Sequence, residues 1–253
     1  MSHLLSYRCG SLQKLHLPLA RVAEIGIQGL ELVWNDETEI DAVRAAVDPH
    51  GLQVTSLHAP CPLDDDDLPA LLGRHAECAA ALGAAYLFVS THAGDMPRQE
   101  AYERLRRAGD AVGAHEVYLA METHLDLCHN AEVMVETMAG VDHPWVGINF
   151  DTANLYYYNE NVDAVDQAQK AGTHARGVHL KDTFGGFHDG NFPVFGEGIV
   201  DFAAVDEVLT GAGYEGAYCM ELEGGTFDAS KPDELAEKVR RCVEHLRQVG
   251  VAD

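Results

Sequence analysis

The chain has 253 residues, 47% of them hydrophobic and 23% charged, the proportions of a folded globular protein with a sizeable core rather than a disordered chain, a collagen or a disulfide-stapled miniprotein. Against 17 Lys+Arg stand 41 Asp+Glu, a formal net charge of -24. Such a field repels polyanions, so nucleic acid and anionic membrane surfaces are excluded as partners, whereas a metal cation is not opposed.

The start, MSHLLSYRCGS, lacks the basic region and long apolar run of a signal peptide. The longest apolar stretch, 79–89, is interrupted by Gly83 and is too short to span a bilayer. A cytoplasmic location is the expectation. The six cysteines, Cys9, Cys61, Cys78, Cys128, Cys219 and Cys242, form no CxxC pair, and they read as small buried or half-buried thiols rather than a zinc ribbon or disulfide framework.

In chain order, short β-rich runs ending in a polar residue alternate with helical stretches. The predicted strands are 4–8, 29–34, 53–58, 86–92, 117–122, 146–151, 177–181 and 217–221. Between and after them, helical periodicity covers 12–25, 37–49, 67–82, 98–114, 130–139, 161–173, 201–212 and 232–248. Gly26 and Gly83 mark helix ends, and Asp201 and Pro232 mark starts. The run Asp64–Asp67 reads as a solvated loop entering the third helix.

This alternation, at roughly 30 residues per unit, calls for parallel strands joined by helical crossovers, and eight units close most simply into a (β/α)8 TIM barrel with eight outer helices. A doubly wound open sheet is the competitor, but no GxGxxG follows the first strand. No linker, repeat or low-complexity block divides the chain, so residues 1–253 form one domain. Contacts between copies would have to use helix faces or strand-end loops.

In a barrel the site is built at the C-terminal ends of the strands. The polar residues there are Arg8, Glu31 and Trp34, His58, His92, Glu122, Asp151, His179 with Lys181, and Glu221 with Glu223. Singly, each could be a polar residue leaving the core. Together, Glu122 in LAMETH, Asp151 in INFDT, His179 in GVHLKD and Glu221 in CMELEG end four successive strands. Three carboxylates and an imidazole converging at one mouth repel each other when empty, and one divalent cation relieves that repulsion; mixed O and N donors suit Mn, Mg, Co or Zn.

This set, with HLKDT at 179–183 and FGEGIVDF leading into the helix over 201–212, resembles the xylose-isomerase-like barrel superfamily of sugar isomerases and epimerases. The resemblance implies one divalent metal on Glu122, Asp151, His179 and Glu221, with Glu122 and Glu221 as the acid/base pair. It places His58 and His92 against substrate, with Asn154, Glu31 and Lys181 as further substrate contacts; Lys181 would polarise a substrate oxygen or pair with Asp182. The loop 184–198, with four phenylalanines, resembles the segment lying over the substrate, so that Phe187, Phe192 and Phe195 would form an apolar lid or pack beneath the loop.

The implied chemistry is metal-assisted proton abstraction beside a carbonyl, through an enediolate, with return of the proton by a second carboxylate. The implied partner is a small carbohydrate, free or phosphorylated. The loop HDGNFPVFGEG lacks the Arg of free-ketose epimerases, and Asn154 stands where many members have His. HLKDT followed by a GEG turn is closer to members acting on sugar phosphates or inositol derivatives, whereas the acidic surface and the few basic residues at the strand ends argue against a phosphate. A dehydratase of the inosose dehydratase kind needs nearly the same residues. An endonuclease IV-like nuclease would need further ligands, where Gly190, Phe192 and Asn154 stand, and would meet the opposing net charge. A non-catalytic carbohydrate-binding barrel is argued against by the intact ligand set.

Overall fold

The computed structural model describes residues 3–253; Met1 and Ser2, which open the segment read for a signal peptide, lie outside the described residues. Eight parallel strands close into a barrel: β1 Leu5–Arg8, β2 Gly29–Val33, β3 Gln53–His58, β4 Tyr86–Val89, β5 Tyr118–Glu122, β6 Val146–Asp151, β7 Ala175–Leu180 and β8 Tyr218–Met220. β8 pairs with β1 to complete the ring. All six residues of β6 are buried, as expected for a parallel strand covered by helices outside and side chains inside.

Among the described residues there are nine α-helices: α1 Leu19–Ile25, α2 Ile40–Val47, α3 Leu68–Leu82, α4 Arg98–Gly113, α5 Ala131–Val141, α6 Asn154–Tyr158, α7 Ala164–Ala171, α8 Phe202–Gly211 and α9 Pro232–Gln248. Eight units are therefore joined as predicted, with α6 as an extra turn after β6. None of these helices is long and apolar enough to cross a membrane.

The helix ends follow local chemistry. Asn130, Asp163 and Asp201 accept hydrogen bonds from the first-turn amides of α5, α7 and α8. The exposed run Asp64–Asp67 leads into α3, with Asp67 at its N-cap. The first helix starts later than the predicted 12–25. Pro18 cannot occupy a helix interior, and residues before it form a small antiparallel hairpin, Gly10–Ser11 with Lys14–Leu15. All six cysteines are free thiols, five buried and Cys78 half-buried.

Register brings the charged strand ends together: Glu122 lies opposite Asn149, Asp151 opposite His179, and His179 opposite Cys219. Register shifts at Leu30/Glu31 and at Ile148/Asn149 re-aim the following side chains. Inside the barrel, Gly177 leaves room for Asn149 and the Tyr86 ring, which a Cβ there would strike. Above them Phe88 forms a floor, its ring 4.6 Å from those of both His58 and His179.

Candidate active site

Glu122 ends β5, Asp151 ends β6, His179 is the penultimate residue of β7 and Glu221 follows β8 directly. Their donor atoms all lie within 4.8 Å of one another, and all four residues are buried. His179 Nδ1 is central, 3.5 Å from Glu122 Oε2, 3.5 Å from Glu221 Oε2 and 4.0 Å from Asp151 Oδ2. Both His179 Nδ1 and Asp151 Oδ2 are buried atoms without a hydrogen-bond partner. Ligand bonds of about 2.0–2.2 Å place the donors of one ion within about 4.4 Å of each other, so a small contraction would let these four residues share a divalent cation. The donor set and the unpartnered His179 Nδ1 fit such an ion.

The surroundings orient this set. His179 Nε2 donates to the Glu31 carboxylate at 3.2 Å, which directs Nδ1 toward the acids; a carboxylate behind an imidazole is the usual way a ligating tautomer is held. Glu31 is fully buried and also accepts from Ser56 Oγ at 2.7 Å. Asn149 and Asn154 donate to the two oxygens of Glu122, at 2.7 and 3.1 Å. Asp151 Oδ1 accepts the amides of Ala153 and Asn154, leaving Oδ2 facing the cluster.

Two cations balance part of the negative charge. Lys181 Nζ lies 2.5 Å from Glu221, 3.3 Å from Asp151 and 2.8 Å from Glu223. Arg8 lies 3.0 Å from Glu221 and 3.5 Å from Glu31, and donates to His58 Nδ1 at 3.0 Å. In this arrangement burial raises the Glu122 carboxyl well above the usual range, with Asp151 and Glu221 adding to the effect. Burial also raises Asp151, to about 6, against the pull of Lys181. For Glu221 burial is outweighed by Lys181 and His179, and its carboxyl is held well below the usual range. For His179 burial is outweighed by Glu31, Glu122 and Glu221, which keep its pKa well above that of a free imidazole.

A cavity of about 490 Å³ opens over this cluster. Its base includes Arg8, Phe88, Glu122 and Glu221; its walls include Ser90, His124, Asn154, Tyr157, Tyr158, Phe192 and Glu223. Of the proposed substrate contacts, Asn154 and Phe192 line it, the Asn154 amide also bonding Glu122 and Lys181. Glu31 is enclosed behind His179 and Lys181 is enclosed among carboxylates, neither among the cavity's lining residues. His58 is half-buried beside Phe88, bonded by Arg8. β4 stops at Val89, earlier than predicted, so Ser90 stands at the mouth while His92 is exposed in the loop, bonded to the Leu125 carbonyl.

Lys181 pairs with Asp151, Glu221 and Glu223, not with Asp182. The Asp182 carboxylate instead accepts the amides of Thr183, Gly196, Gly198 and Val200, and so gathers the loop after β7. Within that loop Phe192 faces the cavity, Phe195 packs on Phe202 in the core, and Phe187 is 50% exposed against His188.

The wall residues Ser90, His124, Tyr157 and Tyr158 carry no role in the sequence pattern. His124 was signalled by its place two residues after Glu122. The tyrosines lie in NLYYY, the short α6 between the predicted strand 146–151 and the predicted helix 161–173.

A family model described as Xylose isomerase-like TIM barrel matches residues 19–249. The chain belongs to this family. It is 28% identical over 228 residues to the L-ribulose-5-phosphate 3-epimerase UlaE of Shigella flexneri, covering 83% of this chain and 77% of that protein. Among solved structures, a xylose isomerase domain protein from Planctomyces limnophilus superposes with TM-score 0.80 at 18% identity, covering 98% of each chain. The D-allulose 3-epimerase of Methylomonas sp., solved in complex with D-allulose, superposes with TM-score 0.76 at 16% identity, again over 98% of each.

Proposed function

We propose that the chain is a divalent-metal-dependent sugar epimerase or isomerase that moves a proton on a carbon next to a carbonyl. One observation carries the reading: Glu122, Asp151, His179 and Glu221 bring four donors within 4.8 Å at the base of a cavity that Glu122 and Glu221 also line. Membership of the xylose isomerase-like family, and the 3-epimerase names of the relatives, support it.

Glu122, Asp151, His179 and Glu221 would hold the ion, which when bound supplies Lewis-acid polarisation of a substrate carbonyl. Glu31 holds the His179 ring and Asn149 holds Glu122, so neither donor needs to reorganise. One of the two cavity-lining glutamates takes the proton from the carbon beside the carbonyl, and the other, entering from a strand with two others between, returns one. Return to the same carbon inverts it; return to the neighbouring carbon moves the carbonyl. Phe88 and Phe192 keep apolar surface against the reacting carbons.

The test is solvent deuterium incorporation into ketoses by the metal-loaded protein. Exchange by the wild type, lost in both Glu122→Gln and Glu221→Gln, is the expected result. Exchange retained in both variants overturns the proton-transfer assignment, and a product lighter by one water makes the protein a dehydratase.

A further inference from the structure

Resting on that reading, we propose that the substrate is an uncharged sugar, not a sugar phosphate, and that Glu223 enforces the choice by receiving sugar hydroxyls at the cavity wall. Barrels of this kind that bind phosphate commonly do so with the loops after strands seven and eight and the N-terminus of a short extra helix. Here those loops supply Gly190, Phe192, Glu223 and Gly224 to the cavity, and neither supplies it a Lys or Arg. The short extra helix, α6, follows β6 instead, and residues 224–231 between β8 and α9 contain no helix.

In place of a cation, the loop after β8 presents a fixed carboxylate. Lys181 Nζ donates to Glu223 Oε1 at 2.8 Å, while the Glu223 side chain stays 43% exposed at the cavity. An anchored carboxylate with free lone pairs accepts hydroxyl donors well and repels a phosphate dianion.

The cations close by are already committed. Arg8 is paired with Glu221 and Glu31, and buried Lys181 with Asp151, Glu221 and Glu223. Three carboxylates, Glu122, Glu221 and Glu223, line the cavity against Arg8. A divalent ion would bring that balance to neutrality, with nothing left over for a dianion. Tyr157, Tyr158 and Phe192 provide faces for the C–H side of a sugar. The inference separates this chain from the relatives whose name carries a 5-phosphate.

The test offers ketopentoses and ketohexoses to the metal-loaded enzyme, each free and as its terminal phosphate ester, and reads kcat/KM for solvent deuterium exchange. The free sugar is expected to exceed its ester by at least about tenfold, the order of a like-charge penalty in a partly desolvated site. Glu223→Gln should lower kcat/KM for the free sugar and narrow the preference. A non-reacting polyol and its phosphate, titrated calorimetrically, should bind in the same order. A preferred ester, or a ratio unchanged in Glu223→Gln, overturns this inference and leaves the epimerase reading standing. No exchange with any member of the panel overturns that reading and the inference with it.

Discussion

The two halves of the barrel end in equally polar residues but use them differently. β5–β8 deliver Glu122, Asp151, His179 and Glu221 to one point, with two donor atoms left without hydrogen-bond partners. β1–β4 end in or near Arg8, Glu31, His58 and Ser90. Of these, Arg8 and Glu31 are engaged in holding the other half's residues: Glu31 on His179, Arg8 on Glu221. His179 Nδ1, buried with no hydrogen-bond partner, marks where a ligand belongs, and the paired charges mark what keeps the donors aimed.

The largest effects should come from the donating half. Glu122→Gln and Glu221→Gln are each expected to lower the rate of proton exchange by about 10³-fold, within the usual range for a positioned acid or base. Circular dichroism should stay native, since an amide can keep part of each hydrogen-bond set.

Next in size is the support that this half provides for itself. Asp182→Ala strands four backbone amides. It should cost about 3 kcal/mol, read as a fall in Tm of roughly 5–10 °C. An unchanged Tm would mean that the loop after β7 closes without Asp182.

The link between the halves should weigh less. Glu31→Gln is expected to weaken divalent metal binding by about 10–100-fold, measured by competition against a chelating dye, because a neutral amide orients and polarises His179 less well. Equal binding in this variant would reduce the first half to packing.

Acidity should act on the donors in the same direction. Asp151 is raised to about 6 and Glu122 well above its usual range, so at pH 5 the ion must displace protons that are largely gone from Asp151 by pH 8. Binding therefore releases protons, and affinity should fall by about tenfold or more between pH 8 and pH 5. Calorimetry in buffers of different ionisation enthalpy would count the protons.

The division between the halves also explains what could be read in advance. The barrel was legible because Val-, Ile- and Leu-rich runs recur with helices between them. The donors were legible because LAMETH, INFDT, GVHLKD and CMELEG each carry an acid or His at a strand end. Which way a strand-end side chain points was not. Glu31 follows a register shift and faces His179 from behind, information held in pairing between strands rather than in either one. Lys181 sits beside Asp182 in sequence but meets carboxylates from β6 and β8 in space. The wall formed by α6 was missed because five residues are too few to show helical periodicity.

The smallest expected effect tests where the first half stops contributing. Periodicity extends β4 to His92, but the strand ends at Val89. The three further residues carry His92 out of the cavity, to an edge-on contact with His124 at 4.6 Å. His124, from the second half, takes the wall position and lies 4.6 Å from the Tyr158 ring. His92→Ala should therefore change kcat/KM by no more than about twofold, the range of an exposed substitution. His124→Ala should raise KM for the same sugar by more than that, through loss of wall surface. If His92→Ala instead costs as much as His124→Ala, the outer histidine acts on substrate through its neighbour, and the first half reaches further into the site than its strand ends do.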